Sequence, residues 1–152
     1  MRNTLLIALA LVASAGCEQL KTDQRTTDHQ DRAVNLELQA KCAKDAKAWF
    51  ESTWPERLEP NSISAEYTNH YSMAKNKCFI TVEYKYFFPT FGSETWVDDL
   101  TTHDVYENRE VASVSEEHGP MMKVTVTDCQ VFGTKCSTMQ EYRALSKPLL
   151  ID

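Results

Sequence analysis

The stretch CFITVEYKYFF, from Cys78 to Phe88, decides the fold class. Its apolar and aromatic side chains recur at every second position, which is the period of a β-strand. The opposite face is polar except for an aromatic residue at each end, Phe79 and Phe87. The alternation predicts a strand that turns one face toward a core, and Pro89 is expected to end it.

Four further segments alternate in the same way, and they lie at residues 63–71, 96–106, 110–115 and 122–127. The polar residues Glu107, Asn108 and Arg109 separate two of these segments. They predict a tight hairpin, because asparagine tolerates positive φ. No helical pattern interrupts the run of strands, so the sequence predicts an antiparallel meander of about four to five strands.

A helical pattern lies on each side of the predicted strands. Between Ala33 and Phe50, apolar residues recur at helical spacing and form one stripe: Leu38, Cys42, Ala46, Trp49 and Phe50. Near the other end, Ser137 and Gln140 have the spacing of a capping box, which predicts a C-terminal helix. The sequence therefore predicts one α+β domain over residues 33–152, with the sheet packed between an N-terminal and a C-terminal helix.

The first residues have the composition of an export signal. A single positive charge at Arg2 precedes an apolar run that ends at Val12. This run is shorter than the roughly 20 residues of a membrane-spanning helix. Small residues follow it, as in a cleaved secretory signal. The sequence ASAGC, from Ala13 to Cys17, permits two cleavage sites: after Ala15, as in a secreted protein, or before Cys17, as in a bacterial lipobox.

The number of cysteines favours the lipobox. Cleavage after Ala15 would leave five cysteines, an odd number, in an oxidising compartment. Lipidation of Cys17 leaves four. Residues 1–16 are therefore expected to be a signal peptide and Cys17 a lipidated residue. Because Glu18 is not the aspartate of inner-membrane retention, the predicted location is the outer membrane, facing the periplasm. The alternative is a soluble secreted or periplasmic protein.

Residues 17–32 are polar and have no apolar period, so they are predicted to form a flexible tether. The first sixteen residues contain Arg2 and no carboxylate, so 15 Lys and Arg remain against 22 Asp and Glu, a net charge of −7. This acidic balance argues against a nucleic-acid partner, since nucleic acids are bound through cationic contacts with phosphate. Membrane attachment is therefore expected to come from the lipid at Cys17.

Four cysteines allow three pairings. Cys129 and Cys136 flank a six-residue stretch that contains Gly133, which predicts a local bridge and leaves Cys42 to pair with Cys78. Cys42 lies on the apolar stripe of the first helix and Cys78 on the apolar face of its strand, so both are expected to face the core. A zinc site or redox pair is the alternative, but the chain has no C-x-x-C motif.

Three segments carry a resemblance to a known group of proteins. They read KCAKDAKAWF, YTNHYSMAKNKCFITV and CQVFGTKCSTMQEYRALSKPLL. Together they resemble an uncharacterised family of small exported bacterial proteins and lipoproteins, over most of residues 40–150. The resemblance implies export and the cysteine framework, and it implies no activity.

Two clusters contain residue types that serve acid–base or metal chemistry. The first is Asp98-Asp99 with His103-Asp104, and the second is Glu116-Glu117-His118. On a strand, Asp99 and His103 would share a face but lie about 13 Å apart along it. Neither cluster forms a recognised catalytic motif, so the sequence predicts no catalytic residue, metal site or cofactor.

The exposed aromatic residues give the best candidate for function. Phe79, Phe87 and Phe91 form the candidate binding surface, because exposed aromatic residues mark such surfaces. The alternative is that the second helix or a loop covers them, since a sheet packed between two helices has both faces buried. The predicted function is that of a non-enzymatic, lipid-anchored envelope protein that binds another envelope component. The alternative is a periplasmic hydrolase or metal-dependent enzyme that uses His103, Asp99 and Glu117.

Overall fold

The structure is a computed structural model, and it describes residues 16–54, 61–90, 93–119 and 123–150. These residues form two helices and six strands, in this order: α1 (Gly16–Thr53), β1 (Ser62–Ser72), β2 (Lys77–Thr90), β3 (Ser93–Asp104), β4 (Arg109–His118), β5 (Val124–Val131), β6 (Thr134–Lys135) and α2 (Met139–Leu150). Residues 1–15 of the predicted signal and Phe91 of the predicted surface lie outside the described residues.

The strands form one antiparallel sheet in the order β1-β2-β3-β4-β5-β6. The α+β class and the meander are confirmed, but the predicted number of strands was too low. The missed strand, β6, has only two residues and shows no alternation. A turn at Phe132 and Gly133, both with positive φ, returns the chain from β5 to β6. Asn108 also has positive φ, 49°, in the predicted hairpin.

The first helix begins earlier than predicted. It starts at Gly16, whereas the sequence predicted a coil up to residue 32. The segment contains no proline and no glycine after Gly16, and it is rich in the helix formers Glu, Gln, Lys and Arg. A polar helix gives no apolar period, which is why the pattern missed it. The chain divides into two units, Met1–Glu37 and Leu38–Asp152, so the boundary also lies beyond residue 32.

Within the second unit, α1 packs on one face of the sheet, called here the α1 face. Its buried residues Cys42, Ala46 and Trp49 meet the β2 residues that the alternation assigned to the core: Cys78, Ile80, Val82 and Tyr84. Cys42 and Cys78 form a disulfide with their Cα atoms 5.4 Å apart. This pairing confirms the prediction and ties the helix to the centre of this core.

The second helix packs on the opposite face, called here the α2 face. Tyr142 and Leu149 of α2 are buried against Phe79 and against residues of the last strands: Val111, Ala112, Val114, Cys129 and Val131. The predicted Cys129–Cys136 disulfide is present, with the Cα atoms 5.0 Å apart. The helix is capped one residue later than predicted, because the hydroxyl of Thr138 accepts a hydrogen bond from the backbone N–H of Glu141.

Two strands extend past their predicted ends. β2 continues through Pro89 to Thr90. Proline has no backbone N–H, but the pairing of β2 with β1 ends at Tyr86, so no donor is needed on that side of Pro89. β5 continues to Val131 across a bulge. There Ser115 pairs with Asp128 while the next residue, Glu116, pairs with Val126. The extra residue shifts the apolar–polar alternation by one position, so the sequence pattern did not predict the second half of the strand.

Candidate binding surface

Four residues lie side by side across the α2 face, one on each of four neighbouring strands. Phe87 of β2 pairs with Trp96 of β3, Trp96 pairs with His118 of β4, and His118 pairs with Val124 of β5. Antiparallel partners point to the same side of a sheet. We call these four residues the aromatic row. At the usual strand spacing, the row is about 14 Å long.

The aromatic row is exposed because α2 covers only the other end of this face. Phe87 is 42% exposed, Trp96 39% and Val124 49%. Phe79, which lies on the same strand and the same face, is fully buried against α2. Phe79 and Phe87 are eight positions apart, which corresponds to about 26 Å of strand. The sheet therefore presents large apolar side chains to solvent at the end that is distant from α2.

The middle of the aromatic row is ordered by ring stacking. The rings of Trp96 and His118 are 5.2 Å apart between centroids and 7° from parallel. Nε2 of His118 lies 3.1 Å from Oδ2 of Asp98, and Lys85 Nζ lies 3.7 Å from Oδ1 of Asp98. Asp98 thus lies between Lys85 and His118 beside the aromatic row.

Carboxylates lie on the same face as the aromatic row, two of them next to it and two about 13 Å further along the strands. Glu66 of β1 pairs with Glu83 of β2, and Asp98 of β3 pairs with Glu116 of β4. Each is a pair of like charges on directly opposite residues, an arrangement that destabilises a sheet. Lys85, which lies 3.0 Å from Glu83, is the lysine among them. We call Glu66, Glu83, Asp98 and Glu116 the carboxylate set.

The three residues predicted to form an exposed surface have different outcomes. Phe87 is exposed, as predicted. Phe79 was wrongly placed on the surface. Its position in the alternation was right, but α2 covers that end of the face and buries it. Phe91 lies outside the described residues. The surface that the structure supports is therefore Phe87 with Trp96, His118 and Val124.

The residues of the alternative enzyme hypothesis all lie on the α1 face, but they do not converge. Asp99 pairs with Ser115, and Glu117 is two residues further along β4, so these two carboxylates are neighbours. His103 is four residues from Asp99 and is only 5% exposed, with its ring 4.7 Å from that of Trp49. The indole of Trp49 therefore covers the imidazole that this hypothesis needs at an open site.

Asp99 is the carboxylate whose environment alters its ionisation. Burial raises the pKa of Asp99, and the neighbouring carboxylates Asp98 and Asp128 raise it further, while a hydrogen bond from Ser115 lowers it. Burial also raises the pKa of the nearby Tyr86, and Asp99 adds to that effect. In both groups the fold disfavours the charged form. The result is a half-buried polar patch in which Asp99 contacts Ser115 and Tyr86.

The remaining members of the two predicted clusters have structural contacts. Asp104 is fully buried and binds Lys77 at the start of the β3–β4 hairpin. Residues 16–54, 61–90, 93–119 and 123–150 include no group of three or more His, Cys, Asp or Glu residues that could hold a metal ion. Each cluster instead contributes residues to the α2 face. Asp98 of the first cluster and Glu116 of the second belong to the carboxylate set, and His118 of the second belongs to the aromatic row.

Sequence reasoning missed Trp96 and His118 as surface residues. The strand pattern assigned Asp98 and Asp104 to one face of β3, and Trp96 belongs to the same face by parity. The position of Trp96 on the same face as two aspartates therefore indicated that it lies at the surface. The alignment of Trp96 with His118 could not be predicted from the sequence, because it depends on the register between β3 and β4. The pairing of these strands contains a bulge at Thr102/His103.

The chain was compared with known proteins at three levels. No family model matches it, no curated protein matches it, and no solved structure matches it. In the part of the chain that the structure describes, no helix has both the length and the apolar composition needed to cross a membrane.

Proposed function

We propose that this protein is a lipid-anchored component of a bacterial cell envelope. In this proposal Cys17 carries the lipid and holds the protein at the outer membrane, facing the periplasm. The aromatic row is its docking surface for another envelope protein, and its role is non-enzymatic. The alignment of the exposed Phe87 and Trp96 with the half-buried His118 is the single observation that carries the binding role.

The signal-like N-terminus and the cysteines support the location. The residues before Cys17 have the order of a signal peptide: a positive charge, a short apolar run and small residues. The four other cysteines form two disulfides, Cys42–Cys78 and Cys129–Cys136. Disulfides persist in oxidising compartments such as the periplasm. This arrangement leaves Cys17 as the cysteine available for lipid.

The energetics of the aromatic row support a binding role. Aromatic side chains that remain exposed lose the free energy that burial would give, roughly 25 cal/mol for each Å² of apolar surface. Tryptophan and phenylalanine are also enriched at the centres of protein interfaces. The row has a polar border, with Lys85, Asp98 and Glu116 in the adjacent positions. An apolar centre with a polar rim is the composition of a protein-binding site.

Cell fractionation tests the location. Wild-type protein should be found in the outer-membrane fraction and should incorporate radioactive palmitate. Cys17→Ser should incorporate none and should appear in the soluble periplasmic fraction. If Cys17→Ser stays membrane-bound, or if wild-type protein is soluble, the anchoring proposal is wrong. Wild-type protein in the soluble periplasmic fraction would instead identify a secreted protein.

Affinity capture tests the docking surface. Tagged protein in the Cys17→Ser background is incubated with envelope extract, and bound proteins are quantified by mass spectrometry. The double variant Phe87→Ser/Trp96→Ser should lose a partner that the parent enriches. Phe132→Ser is the matched control, because Phe132 is 52% exposed on a different part of the molecule. The proposal fails if the parent and the double variant capture the same proteins in equal amounts.

A further inference from the structure

The α2 face combines apolar side chains with an excess of negative charge. Asp98 and Glu116 of the carboxylate set border the aromatic row. Glu83 and its partner Glu66 lie about 13 Å further along the same face, and Lys85 is the lysine that lies among the four carboxylates. With His118 neutral, this part of the face has a net charge of −3. The whole chain is also acidic, with a net charge of −6.

The like-charge pairs have no explanation in folding. Glu66 faces Glu83, and Asp98 faces Glu116, across neighbouring strands. Each pair raises the free energy of the sheet, and Lys85 offsets only part of this repulsion through its contacts with Glu83 and Asp98. Residues that break a local rule without a structural gain are expected where function requires them. A partner that brings positive charge would relieve both pairs.

We infer that the aromatic row and the carboxylate set together bind a basic segment of a partner protein. In this inference, Lys or Arg side chains of the segment meet the carboxylates, and an apolar side chain between them packs on Phe87 and Trp96. Asp98 and Glu116, which follow Trp96 and precede His118 on the same face, are the carboxylates nearest to these apolar contacts. The inference rests on the proposed docking function and names the chemistry of the partner.

A pair of synthetic peptides tests the inference. Both are nine residues long and contain the same alternating leucines and one tryptophan, and they differ only in having lysine or glutamate at the polar positions. Binding to the Cys17→Ser protein is followed by NMR chemical-shift changes. The lysine peptide should shift signals of the aromatic row and weaken at least tenfold between 50 mM and 500 mM NaCl, since salt screens exposed charges. The glutamate peptide should cause no shifts.

Charge variants show whether the effect belongs to this face. Glu66→Gln/Glu116→Gln removes one member of each like-charge pair, so it should weaken the lysine peptide about fivefold or more while raising Tm. A loss of binding in a protein that has become more stable is not a folding defect. Glu37→Gln/Glu51→Gln has the same change in net charge on exposed positions of α1 and should bind like the parent.

The outcomes separate this inference from the proposed function. If Phe87→Ser/Trp96→Ser loses its captured partner but the glutamine variant on the α2 face binds normally, the docking surface is right and the basic partner is wrong. Equal binding of the two peptides, no binding of the lysine peptide, or equal losses in both glutamine variants also overturn the inference. If neither the aromatic nor the charge variant changes any binding, both proposals are wrong.

Discussion

Asp104 and Lys77 form an ion pair in which the carboxylate is fully buried and Lys77 Nζ lies 2.6 Å from Asp104 Oδ2. The other carboxylate oxygen accepts hydrogen bonds from the backbone N–H groups of Tyr106 and Glu107. One side chain thus joins the start of β2 to the β3–β4 hairpin. Buried charges are tolerated only when their bonds are satisfied in this way.

Asp104→Ala should therefore be one of the most destabilising substitutions in the sheet. It leaves two backbone donors without an acceptor, and we expect it to lower the free energy of unfolding by about 3 kcal/mol. Asp104→Asn keeps an acceptor for the turn and should cost less. Urea unfolding monitored by circular dichroism measures both. An effect below about 1 kcal/mol for Asp104→Ala would contradict this role.

The two disulfides should differ in their contribution to stability. Cys42 and Cys78 are 36 residues apart, and Cys129 and Cys136 are 7 residues apart. Chain-entropy arguments give about 4 kcal/mol for the long loop and about 2.5 kcal/mol for the short one. Replacing each pair by serine and measuring urea unfolding checks the order. A larger loss from the Cys129/Cys136 replacement would contradict it.

Asp99 should make stability depend on pH in the acid range. Because its folded pKa is raised, chiefly by burial, the fold favours the protonated carboxyl. That stabilisation is complete below the unfolded pKa and is lost as pH rises through the folded pKa. Asp99→Asn stays neutral, so its Tm should match the parent near pH 3 and exceed it near pH 7. Thermal unfolding between pH 3 and pH 8 measures the difference, and a less stable Asn variant at pH 7 would refute the prediction.

Asn108 should contribute both a backbone conformation and a hydrogen bond. Its φ is 49°, and its side-chain oxygen accepts a 2.7 Å hydrogen bond from Nε1 of Trp49. Asn108→Ala loses the bond, and alanine tolerates the left-handed region less well than asparagine, so the expected cost is about 2 kcal/mol. Asn108→Gly loses only the hydrogen bond, so its stability should lie between that of the parent and that of Asn108→Ala. A glycine variant less stable than the alanine variant would show that the conformation is not limiting.

Much of the fold could be predicted from the sequence, because each predicted strand or helix depends on the pattern within a short segment. The alternation around Cys78 to Phe88 predicted β2 and its buried face, and the stripe through Cys42 and Trp49 predicted the part of α1 that packs on it. The disulfide pairing followed from the same two patterns. Local periodicity is sufficient when one face of an element is apolar and the other is polar.

The binding surface could be predicted only in part, because it depends on the register between strands and on which part of the face α2 covers. Phe79 and Phe87 were both candidates for the exposed surface, with coverage by the second helix as the alternative. In the structure α2 covers Phe79 and leaves Phe87 exposed, and how far the helix reaches along this face is a tertiary property. The alignment of Trp96 with His118 arises from strand pairing across a bulge, and a shift of one residue would place the two rings on opposite faces. The polar part of α1 before Ala33 has no apolar period, so its helix was not predicted.

Site-specific photocrosslinking in living cells tests the docking surface most directly. The photoreactive residue p-benzoylphenylalanine replaces Phe87 or Trp96 in turn, with the same replacement at Phe132 as the matched exposed control. The account predicts one discrete cross-linked adduct of the same partner from positions 87 and 96, and none from position 132. No adduct from positions 87 and 96, or the same adduct from position 132, would contradict it.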